Sequence, residues 1–171
     1  MTSTWSRYKF IITLLNQITG AIAALAIVCA ALIVTEGIIV RKIFGISTIW
    51  QIEASIILLI YATFVGAAHA QINEKHLNVD LVIVYLNPII REYILIGVSI
   101  ITCIICAIVT WYAWPMWWEA LVRNDHSESL WAPPLWIPYF FIPFGMFLLF
   151  LQYIAHIGDR IAALKKLTNS A

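Results

Sequence analysis

Charged residues are scarce in this 171-residue chain, and their scarcity rules out most kinds of soluble protein. Only 11% of the residues are Asp, Glu, Lys or Arg, whereas soluble domains average about 25%. The net charge is +1 and no basic patch stands out, which argues against a nucleic-acid-binding protein because such proteins need a strongly positive surface. The hydrophobic fraction of 63% is too high for a disordered chain.

Cysteine is also scarce, and the usual catalytic motifs are missing. The chain has three cysteines, an odd number that provides no disulfide framework. Cys103 and Cys106 have the spacing of a redox motif, but they lie in an apolar stretch where a thiol stays protonated and unreactive. The sequence contains no Ser-His-Asp set, phosphate-binding loop or zinc-ligand spacing. We therefore expect no enzyme activity in this chain.

Long apolar runs make up most of the sequence. Four stretches without a charged residue have 26, 20, 26 and 30 residues, and they are 10–35, 54–73, 93–118 and 129–158. A helix needs about 20 apolar residues to cross the roughly 30 Å hydrocarbon core of a bilayer, whereas barrel strands are shorter and alternate. The runs predict an all-α integral membrane protein with four transmembrane helices, forming one membrane domain over residues 1–171.

Polar residues and prolines set the expected bounds of these spans. We predict transmembrane helices at about residues 20–40, 50–70, 88–114 and 135–157. The apolar run Phe10–Val40 is too long for one perpendicular crossing, so the first span is placed after its polar N-terminal part. Pro88 suits the first turn of the third helix, Pro115 should end or kink that helix, and Pro138 and Pro143 should kink the fourth.

The first apolar run has a second interpretation, a cleaved signal peptide. Arg7 and Lys9 precede the run, and Ala21-Ile22-Ala23 resembles a cleavage site. The apolar residues continue past that site without a break, which favours an uncleaved membrane anchor.

A short amphipathic segment separates the second and third spans. Its apolar part is too short to cross the membrane. We predict an interfacial helix at about residues 77–86, lying along the membrane surface. The alternative is that this segment extends the third span.

The distribution of lysine and arginine indicates the orientation. With the N-terminus inside, seven of these residues are cytoplasmic: Arg7, Lys9, Lys75, Arg91, Arg160, Lys165 and Lys166. Three are outside: Arg41, Lys42 and Arg123. We therefore expect both termini in the cytoplasm. Arg41 and Lys42 oppose the bias and call for a specific reason.

Glu36 and Glu53 are interpreted as the only carboxylates within or at the edge of a span. A charge in the bilayer is costly and usually has a partner or a function. The simplest interpretation pairs these glutamates with Arg41 and Lys42 across the hairpin between the first two spans. Two alternatives remain open, namely pairing with another subunit and a carboxylate that couples transport to ions.

Six tryptophans surround the outer ends of the third and fourth spans: Trp111, Trp114, Trp117, Trp118, Trp131 and Trp136. We interpret them as an aromatic belt at the headgroup level. A stacking platform for a ligand is the alternative.

An ordered set of short motifs covers about residues 36–150. In chain order they are Arg41-x-x-Phe44-Gly45, Trp50-x-x-Glu53, Phe64-Val65-Gly66-Ala67-Ala68, His76-Leu77-Asn78-Val79-Asp80, Leu86-x-Pro88-x-x-Arg91, Ser129-Leu130-Trp131-x-Pro133 and Ile137-Pro138-Tyr139-x-x-Ile142-Pro143-x-Gly145. The set resembles the small membrane subunit of TRAP (tripartite ATP-independent periplasmic) transporters, the DctQ-like family.

The resemblance implies a role beside other proteins in the bacterial inner membrane. Expected partners are membrane lipids, a large multi-span TRAP subunit that binds sodium ions, and a periplasmic protein that captures an organic acid such as a carboxylate or sulfonate. This chain would hold no cofactor. The motif positions, as structural or subunit-interface candidates, are Arg41, Trp50, Glu53, Gly66, His76 and Asp80. We further predict that Arg123, Asp125 and Glu128 of the outer loop help to dock the soluble partner.

A different class of function is still open. A self-sufficient four-helix antiporter would use Glu36 or Glu53 as its coupling carboxylate. Sparse polar residues in the third and fourth spans favour the accessory subunit, because a chain this apolar makes a poor transport path by itself.

Overall fold

A computed structural model of the protein describes residues 3–46, 49–73 and 88–170. These residues form four helices: α1 (Ser3–Phe44), α2 (Trp50–Asn73), α3 (Pro88–Arg123) and α4 (Trp136–Ser170). Each is long and apolar enough to cross a membrane, and the described part of the chain contains no β-strand, only an isolated bridge between His126 and Pro134. The predicted all-α membrane fold with four transmembrane helices is confirmed.

The helices extend beyond the spans expected from the sequence. Helix α1 begins at Ser3 rather than near Gly20. Its 42 residues correspond to about 63 Å, roughly twice the hydrocarbon core, so α1 must tilt or project from the membrane. Helix α3 continues through Pro115 to Arg123. Pro115 therefore does not end it, because one proline removes a single backbone hydrogen bond while the bonds on either side persist.

The predicted interfacial helix at residues 77–86 lies outside the described residues and stays a prediction.

Neighbouring helices pack side by side in the order α1, α2, α4, α3, with a smaller contact between α1 and α4. The α1–α2 and α3–α4 connections lie at one end of this row, which we call the loop end. The N-terminus of α1 and the C-terminus of α4 lie at the other, which we call the terminal end. Helices α2 and α4 are therefore central, and α1 and α3 flank them.

Small residues form the contacts between the helices. Ala23 and Ala26 of α1 are buried against Ala62 of α2. Where α2 crosses α4, a methyl group added at Gly145 would overlap the backbone carbonyl of Phe64. Such close backbone approach is a main source of helix association in lipid, where apolar side chains gain little by leaving the acyl chains. Large aliphatic side chains point outward instead, as lipid-facing surfaces require.

Candidate interface and docking residues

Glu53 holds the α3–α4 loop against the start of α2. Its Oε1 accepts a hydrogen bond of 2.9 Å from the Ser127 hydroxyl. The loop is braced internally, because the Ser127 amide donates to the Pro133 carbonyl at 3.0 Å and the Leu135 amide donates to the Asp125 carbonyl at 2.9 Å. Glu53 thus fixes a structured loop rather than a loose connection.

Glu36 joins α1 to α2 at the same end. Its carboxylate accepts a hydrogen bond from the side-chain amide of Gln51. Gln51 is buried and packs where a methyl group at Gly37 would collide with it. The buried amide and the glycine let the two helices approach closely around this contact.

The ion pairs expected across the α1–α2 hairpin are absent among the described residues, and hydrogen bonds to neutral side chains are found instead. Within the described ranges, Glu36 and Glu53 bond to neutral side chains, and neither forms a salt bridge with Arg41 or Lys42. The reason is helical geometry: residues two apart face different sides of a helix. Gln51 therefore faces α1, while Glu53 faces the α3–α4 loop.

Two family motifs that are distant in sequence meet at the loop end. Trp50 is the first residue of α2 and is 42% exposed. It lines a shallow depression of about 270 Å³ together with Ile49, Leu130 and Trp131. Leu130 is 90% exposed, so this depression presents an apolar surface on a braced loop.

The three docking candidates differ in accessibility. Arg123 is exposed and forms a 2.6 Å ion pair with Glu119, one turn earlier on α3. Glu128 is exposed as well. Asp125 is half-buried, and its backbone carbonyl accepts the Leu135 hydrogen bond. Arg123 and Glu128 are therefore available to a partner, while Asp125 also braces the loop.

Gly66 lies on the face of α2 that meets α1. A methyl group placed there would come within 3.1 Å of the Ala23 side chain. His76 and Asp80 lie outside the described residues, so their interface roles stay predictions.

A polar network between α3 and α4 at the terminal end was missed by the sequence interpretation. Glu92 and Arg160 form a salt bridge of 3.1 Å, with side chains only 14% and 20% exposed. Arg160 Nε also donates to His156 Nε2 at 3.2 Å, and His156 Nδ1 lies 3.3 Å from the Ser99 hydroxyl. A guanidinium group can only donate, so Nε2 accepts and the imidazole is neutral in this arrangement.

Glu92 corrects the expectation that Glu36 and Glu53 are the only carboxylates at a span edge. Glu92 already falls inside the predicted third span, residues 88–114, and in the structure it lies in the second turn of α3, which begins at Pro88. The sequence contains one signal for this network, the spacing of four residues between His156 and Arg160, which puts them on one helix face. Their partner on α3 is set by tertiary packing, which a single sequence does not reveal.

Polar contacts also join α1 to α4. Lys9 forms an ion pair with Asp159. Deeper in the row, Asn16 Nδ2 donates to Gln152 Oε1 at 2.9 Å, and both residues are buried. Hydrogen bonds between helices of this kind hold membrane helices in register.

These polar groups connect one helix to another. Among the residues whose burial is described, the buried polar side chains lie on helices, and they are Asn16, Gln51, Ser55, Gln71, Ser99 and Gln152. Among the described residues, no group of three or more His, Cys, Asp or Glu could hold a metal ion. The fold and its polar contacts define a multi-pass membrane protein whose polar side chains mainly connect helices.

Comparison with known protein families agrees with this class. The family model described as "Tripartite ATP-independent periplasmic transporters, DctQ component" matches residues 30–163. The chain belongs to this family and is a small membrane subunit of a tripartite transporter. The resemblance inferred from the motifs is thereby confirmed, and the family is one of transporter components rather than enzymes. A search among curated proteins returned no significant match.

Proposed function

We propose that this chain is the scaffold subunit of a sodium-coupled TRAP transporter in the bacterial inner membrane. It joins a large multi-span subunit, which binds the sodium ions, to a periplasmic protein that delivers an organic acid, a carboxylate or sulfonate. Family membership supports the role. The excess of lysine and arginine at the terminal end supports cytoplasmic termini, which places the loop end in the periplasm.

The observation that carries the scaffold role is the placement of the glutamates. Glu36 and Glu53 lie at the loop end and are held by Gln51 and Ser127. A coupling carboxylate is expected near the bilayer midplane, where it meets both substrate and ion. Glutamates engaged at one end of the row suit a joining role better than the four-helix antiporter.

The loop end is suited to docking the periplasmic partner. Arg123 and Glu128 provide exposed charges at the same end of the row as the depression lined by Trp50 and Trp131. The loop is already braced by hydrogen bonds, so docking needs little further ordering of its backbone.

Reconstitution tests the scaffold role. Proteoliposomes with the large subunit and binding protein should take up substrate under a sodium gradient only when this chain is present, and the chain alone should take up none. Uptake by the chain alone would contradict the proposal. Glu36→Gln and Glu53→Gln should each retain most of the transport as long as the complex assembles, whereas complete loss in an assembled complex would favour the antiporter.

Charge reversal tests the docking surface. Arg123→Glu with Glu128→Lys should raise the concentration of binding protein needed for half-maximal transport and leave the maximal rate nearly unchanged. Lys165→Glu, an exposed charge at the terminal end, is the matched control. Equal behaviour of the two variants would remove these residues from the docking site.

A further inference from the structure

A cleft with a positively charged rim opens between α1 and α2 at the loop end. Its volume is about 410 Å³. Arg41 and Lys42, in the last turn of α1, form the rim. The rest of the lining is Val34, Gly37, Ile38, Gln51 and Ile52, which is apolar except for the Gln51 amide.

Among the described residues, no carboxylate forms a salt bridge with either of the two cations, Arg41 and Lys42. The nearby glutamates, Glu36 and Glu53, are bonded to other residues. Cations at a helix C-terminus do complement the helix dipole, which explains a preference for positive charge there but not the apolar cleft beneath it.

The lining of the cleft extends along α1 from its last turn toward the middle of the helix. Trp50, the first residue of α2, directly precedes the lining residue Gln51, and tryptophan favours the membrane–water interface. Val34 precedes Lys42 by eight residues, which places it about 12 Å deeper along α1. The shape therefore calls for an occupant with a negative end and a long apolar body.

We propose that this cleft is a binding site for an anionic phospholipid. Arg41 and Lys42 bind the lipid phosphate, for which guanidinium and ammonium groups are well suited, and an acyl chain lies along Val34, Ile38 and Ile52. The lipid phosphate supplies the ion-pair partner that Arg41 and Lys42 lack among the described residues. It also gives a reason for two cations on the side where the charge distribution favours few.

Lipid retention tests the site. The full chain, alone and in complex with its large partner subunit, is placed in mixed micelles with phosphatidylglycerol or phosphatidylcholine of identical acyl chains, and bound lipid is counted by native mass spectrometry. We expect selective retention of phosphatidylglycerol in both samples. Arg41→Gln and Lys42→Gln should each weaken retention roughly fivefold, the usual contribution of one cation near anionic lipid. Arg41→Lys should retain most of it, and Arg123→Gln, which removes a charge at the same end, should leave it unchanged.

Four results would overturn the proposal. Equal retention of the two lipids by the wild-type chain would do so without any variant, even if the glutamine variants failed to fold. Unchanged retention in Arg41→Gln with Lys42→Gln would move the site elsewhere. If inorganic phosphate displaced the lipid with the affinity of the lipid itself, the cleft would be a simple anion site. If the free chain preferred phosphatidylglycerol and the complex did not, the cations would instead pair with an acidic side chain of the large subunit.

Discussion

The two ends of the helical row are joined by different chemistry. At the terminal end, opposite charges meet: Lys9 pairs with Asp159, and Glu92 pairs with Arg160. At the loop end, Glu36 and Glu53 meet neutral groups, the Gln51 amide and the Ser127 hydroxyl. Arg41 and Lys42 lack carboxylate partners among the described residues, and the exposed pair of Arg123 with Glu119 lies within α3 and joins no two helices.

This difference affects both the stability of the helix packing at each end and the accessibility of the side chains there. Removing one member of a largely buried ion pair such as Glu92–Arg160, 14% and 20% exposed, leaves an uncompensated charge and is strongly destabilising. A hydrogen bond between polar side chains of a membrane protein contributes only about 0.6 kcal/mol on average. The terminal end therefore holds the helices together, while the loop end leaves charged and aromatic side chains accessible to partners and lipid.

The largest effect is expected at the terminal end, from Arg160→Met. The variant leaves the Glu92 carboxylate, which is 14% exposed, without its cation, and we expect a loss of about 3 kcal/mol in the free energy of unfolding. Unfolding in mixed detergent micelles, followed by circular dichroism, measures it. Combining it with Glu92→Gln should recover much of the loss, because the isolated charge is gone. A single variant as stable as the double variant would contradict the charge-pair explanation.

The close contact between α2 and α4 in the middle of the row should contribute to the stability of the whole protein, and Gly145→Ala tests this. The added methyl group would overlap the Phe64 carbonyl, so α2 and α4 must separate, at a cost of about 2 kcal/mol. Gly97→Ala on α3 is the matched control, since a methyl group there meets open space and should stabilise the helix by up to about 1 kcal/mol. The same unfolding assay compares them. Two variants of equal stability would show that the α2–α4 contact is looser than described.

A smaller, local effect is expected at the loop end from Ser127→Ala. The variant removes the 2.9 Å hydrogen bond to Glu53, with an expected loss of about 1 kcal/mol or less. Hydrogen exchange should show faster exchange of the Ser127 and Leu135 amides, while α1 and α4 near Lys9 keep their protection. Loss of protection at both ends would show that the ends are not independent.

The sequence was sufficient for the four helices because each apolar run is longer than a membrane crossing requires. Their full lengths were not predictable in the same way. The segment before Gly20 is helical although it carries Asn16, since that side chain is satisfied by Gln152 of α4. Pro115 lies inside α3 because neighbouring hydrogen bonds persist around it.

The polar contacts were less predictable than the helices. Glu53 was recognised as a candidate from its motif, but its partner Ser127 is 74 residues away. Glu92 could be recognised as a carboxylate inside the predicted third span, but its partner Arg160 could not, because packing alone brings the two side chains together. A single sequence gives the faces of each helix but not which faces meet.

The smallest effect is expected from Arg123→Gln, which breaks the exposed ion pair with Glu119. These side chains are 67% and 55% exposed, so solvent and salt screen their attraction, and we expect a loss of no more than about 0.3–0.5 kcal/mol in the free energy of unfolding. The same charge should matter more for docking, where a neutralised cation alters association with a soluble partner through long-range steering. Comparing Arg123→Gln with Lys9→Gln in one unfolding assay and one transport assay at two salt concentrations therefore sharpens the contrast between the ends. Lys9→Gln should reduce the free energy of unfolding more than Arg123→Gln does. Arg123→Gln should reduce binding-protein-dependent transport more, at low salt. The opposite ranking would show that rigidity and docking are not divided between the two ends.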